Sequence, residues 1–117
     1  MVSFRPHVIF SAAITLDGKL ATRTGDSKLS SKADKIRVHK LRSKVDAILV
    51  GKNTAKIDDP LLSVRNIKKK NPVRIILDSN ATIRTSSRIL KTCSKIPTII
   101  AVSKSAQKKN LQRLEKF

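Results

Sequence analysis

The fold of this chain is decided by the stretch DAILVGKNT at residues 46–54. Its first five residues form an apolar run that is too short for a helix and ends at Gly51, which together predict a buried strand. Two more β-branched runs of this length, residues 73–77 and 98–102, occur later in the chain. Short, β-branched apolar runs of this kind predict core strands of a largely parallel sheet.

Helical patterns lie before and after these strands. Ser31 and Asp34 form a capping-box pattern, and apolar residues then recur at helical spacing at positions 38, 41 and 45. We predict a helix over residues 31–44. Leu111 and Leu114 indicate another helix that begins near residue 105 and is cut off at Phe117.

An earlier apolar run, residues 8–14, precedes the turn residues Asp17-Gly18 and predicts a strand that enters a loop. Alternating strands and helices give the α/β fold class, with a mostly parallel sheet flanked by helices. A chain of 117 residues forms one domain at most.

The charge is the most unusual bulk property, because 26 Lys and Arg stand against 8 acidic residues. A formal charge of +18 attracts polyanions, whether nucleic acid, a phosphorylated substrate or a phosphate-bearing cofactor. The basic residues are dispersed, with one short run at 68–70, and the aromatic residues are three Phe without Tyr or Trp. A platform for base stacking is therefore nearly excluded, and a nucleic-acid-binding module is the weaker alternative.

Composition also bears on the compartment. Cys93 is the single cysteine, so it forms no internal disulfide, and no His or Cys partner stands at metal-ligand spacing. We expect no metal site, no membrane span, no secretion signal and a cytoplasmic location.

Residues 51–72 form the first candidate site. The segment has neither strand alternation nor a long helical stripe, yet it carries Asn53, Thr54, Asp58 and Arg65, whose side chains hold polar ligands. In open α/β sheets, ligands bind beyond the carboxyl ends of the strands, and this segment follows a strand that ends at Gly51.

Several ordered motifs resemble the riboflavin-biosynthesis reductases, which share the dihydrofolate-reductase-like fold. They are AITLDGKLA (13–21), TGDS (24–27), VHKLR (38–42), DAILVGKNT (46–54), DDPLLSVR (58–65) and NPVRIILDS (71–79). Together they extend over residues 5–103 in the family's order and spacing. The zinc-deaminase signature of the fused bacterial enzymes is absent from this sequence, so the likeness is to the stand-alone archaeal and fungal type.

The resemblance implies a reaction and a cofactor. Such enzymes use NADPH to reduce the ribosyl side chain of 2,5-diamino-6-ribosylamino-4(3H)-pyrimidinone 5′-phosphate to ribityl, by hydride transfer to C1′. No covalent nucleophile is needed, and the sequence has no activated Ser, Cys or Lys constellation. A related reductase acting on a pterin or another pyrimidine is the alternative, since a shared fold does not settle the substrate.

The resemblance also implies the residues of the site. Asp58 is expected between cofactor and substrate as the catalytic acidic residue, whereas Asp59 is expected to form a turn. Arg84 and Arg88 are candidates for the 2′-phosphate of NADPH, with exposed, solvated arginines as an equal alternative. Cofactor contacts are expected from Thr54, Asp58, Ser79, Asn80, Ala81 and Thr82, and substrate contacts from Ser27, Ser31 and Arg65.

The chain is short compared with the family. Relatives continue for about as many residues again, through a glycine-rich segment that cradles the cofactor pyrophosphate, and they commonly dimerise. Residues 1–117 are therefore expected to form a truncated reductase domain, and we expect the isolated chain to be deficient in catalysis.

Overall fold

The computed structural model describes residues 4–26, 28–65 and 70–117, which divide into two compact units, residues 1–32 and 33–117. The regular elements belong to the second unit, apart from the first residue of the first helix. They are α1 (Lys32–Arg42), β1 (Ala47–Gly51), α2 (Lys52–Ile57), β2 (Val73–Leu77), α3 (Arg88–Lys91), β3 (Thr98–Ala101) and α4 (Lys108–Leu114).

The three strands form a parallel sheet in the order β1-β2-β3. The register pairs Ala47 with Val73 and Gly51 with Leu77 on one side of β2, and Leu77 with Ala101 on the other. The three predicted strands are thus confirmed to within one residue at each end. Because the strands are parallel, the segments that follow them all leave from the same edge of the sheet.

One face of the sheet carries the core. Ile76 in the central strand is fully buried and packs with Ala55 of α2 and with Ile89 and Leu90 of α3. On the opposite face, the side chains of Leu49, Leu77 and Ile99 are about half exposed. The helices α2 and α3 pack on the Ile76 side, so the core formed by these residues lies on that face of the sheet.

Arg74 is a fully buried cation in the middle of this core. Its guanidinium donates to the carbonyl oxygens of Ile89 at 2.8 Å, Leu61 at 3.1 Å and Ile96 at 3.2 Å. It also donates to the hydroxyls of Thr92 and Thr98. Burial lowers the pKa of Arg74, and the nearby Cys93 acts in the opposite direction. Arg74 therefore ties α3, β3 and the segment after α2 to the central strand.

The first unit contains turns but no regular strand among its described residues. The strand predicted over residues 8–14 is wrong: no backbone ladder forms there, and Val8 and Phe10 are 79% and 88% exposed. An extended segment becomes a strand only when a neighbour takes up its backbone hydrogen bonds. The predicted turn at Asp17-Gly18 is confirmed, since the Gly18 N–H donates to the Thr15 carbonyl at 2.9 Å with a Gly18 φ of 77°.

The predicted helices are confirmed with shorter bounds. α1 begins one residue after Ser31 and ends at Arg42, and α4 ends at Leu114 rather than at Phe117. Helix ends are the least predictable feature of a helix. Within the described ranges, no helix has the length and apolar character needed to cross a membrane.

A candidate site at the carboxyl ends of the strands

The first part of the candidate site follows β1 directly. Gly51 has the extended backbone of a helix N-cap, and α2 begins at the next residue, so Thr54 lies in the first turn of this helix with an exposed side chain. Asp58 occupies the C-cap position of α2, its N–H donates to the Thr54 carbonyl at 3.0 Å, and its side chain lies at the surface.

Two hydrogen bonds connect the C-terminal end of α2 to the first residue of α3 and to the segment before it. The Asp59 carboxylate accepts the Arg88 N–H at 2.9 Å, and the Arg84 guanidinium donates to the Lys56 carbonyl at 3.1 Å. Asp59 has a φ of 39°, a left-handed conformation that Asp tolerates better than most residues. The predicted turn role of Asp59 is therefore confirmed. Both arginines are exposed, and their predicted contact with a 2′-phosphate stays a prediction.

The second part of the candidate site follows β2. Asp78 is fully buried, and its carboxylate accepts the Ile83 N–H at 2.7 Å and the Thr82 hydroxyl at 3.1 Å. The segment 79–82 is thereby closed into a compact loop. Ser79, Asn80 and Thr82 are exposed at its surface, whereas the Ala81 side chain is completely buried beneath it.

Helix α4 and the segment before it fix the backbone of this loop. The Ser79 carbonyl accepts the Ser103 N–H at 2.9 Å, and the Asn80 carbonyl accepts the Asn110 side-chain amide at 2.9 Å. The Ala81 carbonyl accepts the Arg113 guanidinium at 2.8 Å. Because these three carbonyls already accept hydrogen bonds, the loop presents its exposed side chains to solvent.

Unusual backbone conformations concentrate in the two loops. Among the described residues, the non-glycine residues with positive φ are Asp59 (39°), Leu62 (53°) and Ala81 (54°). Each left-handed L-residue costs about 1–2 kcal/mol and persists only where the surroundings impose it. All three lie in segments that the sequence marks as ligand-binding.

Arg65 is held by a different element. Its N–H donates to Nδ1 of His39 on α1 at 3.3 Å, and the Arg42 guanidinium approaches the Ser63 carbonyl at 3.4 Å. Burial, and then the charge of Arg65, lower the pKa of Arg42. Two cations in one region favour a bound anion with more than one charged oxygen, such as a phosphate.

In the structure, α2, which carries Thr54 in its first turn, and the 79–82 loop thus begin at one edge of the sheet. Asp58 lies at the far end of α2, and Arg65 lies beside α1. Ser31 is exposed directly before α1, at the end of the first unit, and Ser27 lies outside the described residues. No cluster of His, Cys, Asp and Glu within the described ranges is arranged to hold a metal ion.

Sequence reasoning missed three residues that shape the site. The polar neighbours of His39 in the sequence predict a surface residue, but it is half-buried and hydrogen-bonded to the Arg65 backbone. The motifs give Arg42 no role of its own, and the sequence distinguishes the buried Asp78 only by its position after a strand. The available signal was the helical spacing of His39 and Arg42, three residues apart, which places them on one face of α1.

Residues 6–117 match the family described as RibD C-terminal domain. The chain is 46% identical over 115 residues to the 2,5-diamino-6-ribosylamino-4(3H)-pyrimidinone 5′-phosphate reductase of Methanothermobacter thermautotrophicus, covering 96% of this chain and 52% of that protein. It is 40% identical to the reductase of the same name from Aquifex aeolicus, covering 97% and 52%. The chain therefore spans about half the length of these curated relatives.

A solved structure gives the same result for the fold. The deaminase/reductase of Thermotoga maritima, a diaminohydroxyphosphoribosylaminopyrimidine deaminase/5-amino-6-(5-phosphoribosylamino)uracil reductase, superposes with a TM-score of 0.71 at 35% identity. The match covers 82% of this chain and 28% of that one. The predicted dihydrofolate-reductase-like α/β fold is confirmed.

Proposed function

The chain belongs to the RibD C-terminal domain family, the reductase family of riboflavin biosynthesis, and we propose that it binds NADPH and takes part in reducing 2,5-diamino-6-ribosylamino-4(3H)-pyrimidinone 5′-phosphate. The ribosyl side chain of this substrate would become ribityl. Two relatives that align with nearly all of this chain carry the name of that reductase.

One structural observation carries the proposal. The register of the parallel strands pairs Gly51 with Leu77, so the segments that begin at Lys52 and Asp78 leave the sheet side by side. Ligands of open α/β sheets bind at this edge. Exposed hydroxyl, amide and carboxylate groups on two adjacent loops are the groups that a dinucleotide with ribose hydroxyls and phosphates requires.

The fixed backbone of these loops fits the same cofactor. The carbonyls of residues 79, 80 and 81 accept hydrogen bonds from Ser103, Asn110 and Arg113, so the loop needs little ordering when a ligand binds. We assign contacts with the cofactor to Thr54, Asp58, Ser79, Asn80 and Thr82 through their exposed groups. Ala81 contributes the buried methyl group that supports the loop.

When bound, NADPH supplies the hydride that reduces C1′ of the open imine form of the substrate. The protein's own contribution is to orient the two ligands and exclude water. Asp58, on the surface at the end of α2, accepts hydrogen bonds from ribose hydroxyls. Asp58 is also the acidic group that we propose as the donor of the proton that the imine nitrogen gains.

The substrate phosphate is assigned to Arg65 together with Arg42. The charge of Arg65 acts on Arg42, and the two guanidinium groups together would provide the double positive charge that suits a phosphate dianion. Ser31 and Ser27 are assigned to polar groups of the substrate on the strength of the family resemblance.

The test is direct binding, because the chain spans about half of the reductases that it resembles. Calorimetry with NADPH is compared with NADH and with tripolyphosphate at about 150 mM salt, where the +18 charge is largely screened. Saturable binding that prefers NADPH to both controls supports the proposal. Equal binding of tripolyphosphate would mean that the charge alone attracts the cofactor, and the proposal would then be wrong.

A matched pair of variants locates the site. Asp58→Ala removes the carboxylate at the end of α2, and Asp46→Ala removes an exposed carboxylate directly before β1, at the opposite edge of the sheet. Both variants gain one unit of net positive charge, so a difference between them reports on position. We expect only Asp58→Ala to weaken NADPH binding, by about five- to tenfold, the effect of a lost charged hydrogen bond.

A further inference from the structure

We propose that His39 is a positioning residue for the substrate phosphate: by holding the backbone of Arg65, it sets the place from which the Arg65 guanidinium reaches its ligand. This inference rests on the proposed function, since it takes Arg65 as the phosphate-binding residue. The inference gives a role to His39, a residue to which the family resemblance assigns none.

The geometry singles out residues 63–65. Arg42 of α1 contacts the Ser63 carbonyl at 3.4 Å, the Asn71 side chain accepts the Val64 N–H at 2.8 Å, and His39 accepts the Arg65 N–H at 3.3 Å. Three consecutive residues are thus held by side chains rather than by a strand partner. Of these contacts, the bond to His39 is made by Arg65 itself.

The imidazole must be neutral to play this role. Nδ1 accepts the Arg65 N–H, so the ring proton resides on Nε2. Burial lowers the pKa of His39, followed by the charges of Arg42 on α1 and Arg65 on the facing loop, while a hydrogen bond with the Ser63 backbone raises it. The ring therefore stays neutral and able to accept near pH 7.

The side chains of Arg65 and His39 differ in freedom. The Arg65 side chain is exposed, whereas His39 is half-buried in α1, an element of eleven residues. A long exposed arginine side chain loses conformational entropy when it binds phosphate. If its backbone is already fixed, the total entropy that binding must remove is smaller. Release of the Arg65 N–H would therefore weaken phosphate binding without removing any group that touches the ligand.

Substitution of His39 distinguishes positioning from simple packing. In His39→Asn, the side-chain oxygen lies close to the position of Nδ1 and accepts the same N–H, whereas His39→Leu fills the space and accepts nothing. Both variants and Arg65→Ala are titrated with ribose 5-phosphate at pH 7.5 and about 150 mM salt, and their melting temperatures are recorded. Amide exchange of Arg65 is followed by NMR in the unligated proteins.

We expect Arg65→Ala and His39→Leu to weaken ribose 5-phosphate binding by about fivefold or more, and His39→Asn to stay within about twofold of the parent chain. The Arg65 amide should exchange faster in His39→Leu than in His39→Asn, at similar melting temperatures. Equal exchange rates in these two variants, or equal loss of affinity in both, would overturn the role of His39.

The two proposals fail in different ways. If Arg65→Ala binds ribose 5-phosphate as tightly as the parent chain, or if the parent chain does not bind it, the phosphate role of Arg65 is wrong, and the positioning role falls with it. If Arg65→Ala weakens binding while His39→Leu does not, the proposed function stands and only the inference about His39 is wrong.

Discussion

The Asp59 carboxylate accepts the backbone N–H of Arg88 at 2.9 Å, so the residue after Asp58 is fastened to the first residue of α3. The two residues are 29 positions apart in the sequence. This single bond satisfies a free N–H at the start of a helix and holds Asp59 in a left-handed conformation. It therefore links the position of Asp58 to the packed core of the sheet.

Substitution of Asp59 tests that link. Asp59→Ala removes the acceptor and places a residue with no local hydrogen-bonding group at a φ of 39°, so we expect a loss of about 1–2 kcal/mol in the free energy of unfolding. Asp59→Asn keeps an acceptor oxygen and a residue that tolerates positive φ, and should lose well under half as much. Urea unfolding followed by circular dichroism gives both values, and equal losses would contradict this account.

Arg74 is expected to be the most sensitive position of the core. Arg74→Lys supplies three donors in place of five and leaves buried carbonyls of Leu61, Ile89 or Ile96 without a partner. We expect a loss of about 3 kcal/mol or more, which is a large share of the stability of a small domain. The matched control is the exposed Arg88→Lys, which should change the unfolding free energy by less than about 0.5 kcal/mol.

The lowered pKa of His39 makes stability depend on pH. In the unfolded chain the ring titrates near 6.5, and in the folded protein its pKa is lower, chiefly through burial. The unfolded state therefore binds more protons between these values, so this contribution to stability is complete above pH 6.5 and is lost as the pH falls below it. The melting temperature of the parent chain should fall between about pH 7.5 and pH 5 more steeply than that of His39→Asn. His7 is present in both proteins, and parallel curves would refute the prediction.

The sheet was predictable because its strands carry a local signal. Residues 73–77 are apolar or β-branched apart from Arg74, lie between Pro72 and Asp78, and form β2 with the predicted bounds. Residues 8–14 carry the same signal without forming a strand in this structure. The amino-acid composition of a segment indicates its tendency to adopt an extended backbone. A strand also needs a neighbouring strand to pair with, and that depends on the tertiary structure.

The candidate site was predictable to a lesser degree. The carboxyl-end rule and the motifs marked Thr54, Asp58 and residues 79–82, and in the structure the segments that carry them begin at one edge of the sheet. The link between His39 and Arg65 joins residues 26 positions apart. Neither periodicity nor turn chemistry predicts that the 58–65 segment folds back onto α1. A histidine at a polar helical position therefore cannot be told from a surface residue in the sequence.

Arg113 provides a test of how α4 supports the proposed cofactor loop. Its guanidinium donates to the Ala81 carbonyl at 2.8 Å, and Ala81 is fully buried with a φ of 54°. Without this bond the carbonyl of a strained residue loses its partner, and the loop becomes free to relax. We expect Arg113→Ala to weaken NADPH binding by about three- to tenfold in calorimetry. In this variant Ser79 and Asn80 would have to become ordered when NADPH binds, and that ordering reduces the binding free energy.

Lys109→Ala is the matched control, because Lys109 is an exposed cation on the same helix and its removal lowers the net charge by the same unit. It should leave NADPH affinity within about twofold at 150 mM salt, where exposed charges are screened beyond roughly 8 Å. If both variants weaken NADPH equally, the contribution of α4 is its charge. If only Arg113→Ala does so, and tripolyphosphate binds both variants alike, the contribution is the fixed backbone of residues 79–82, which is the outcome that the hydrogen bond to Ala81 predicts.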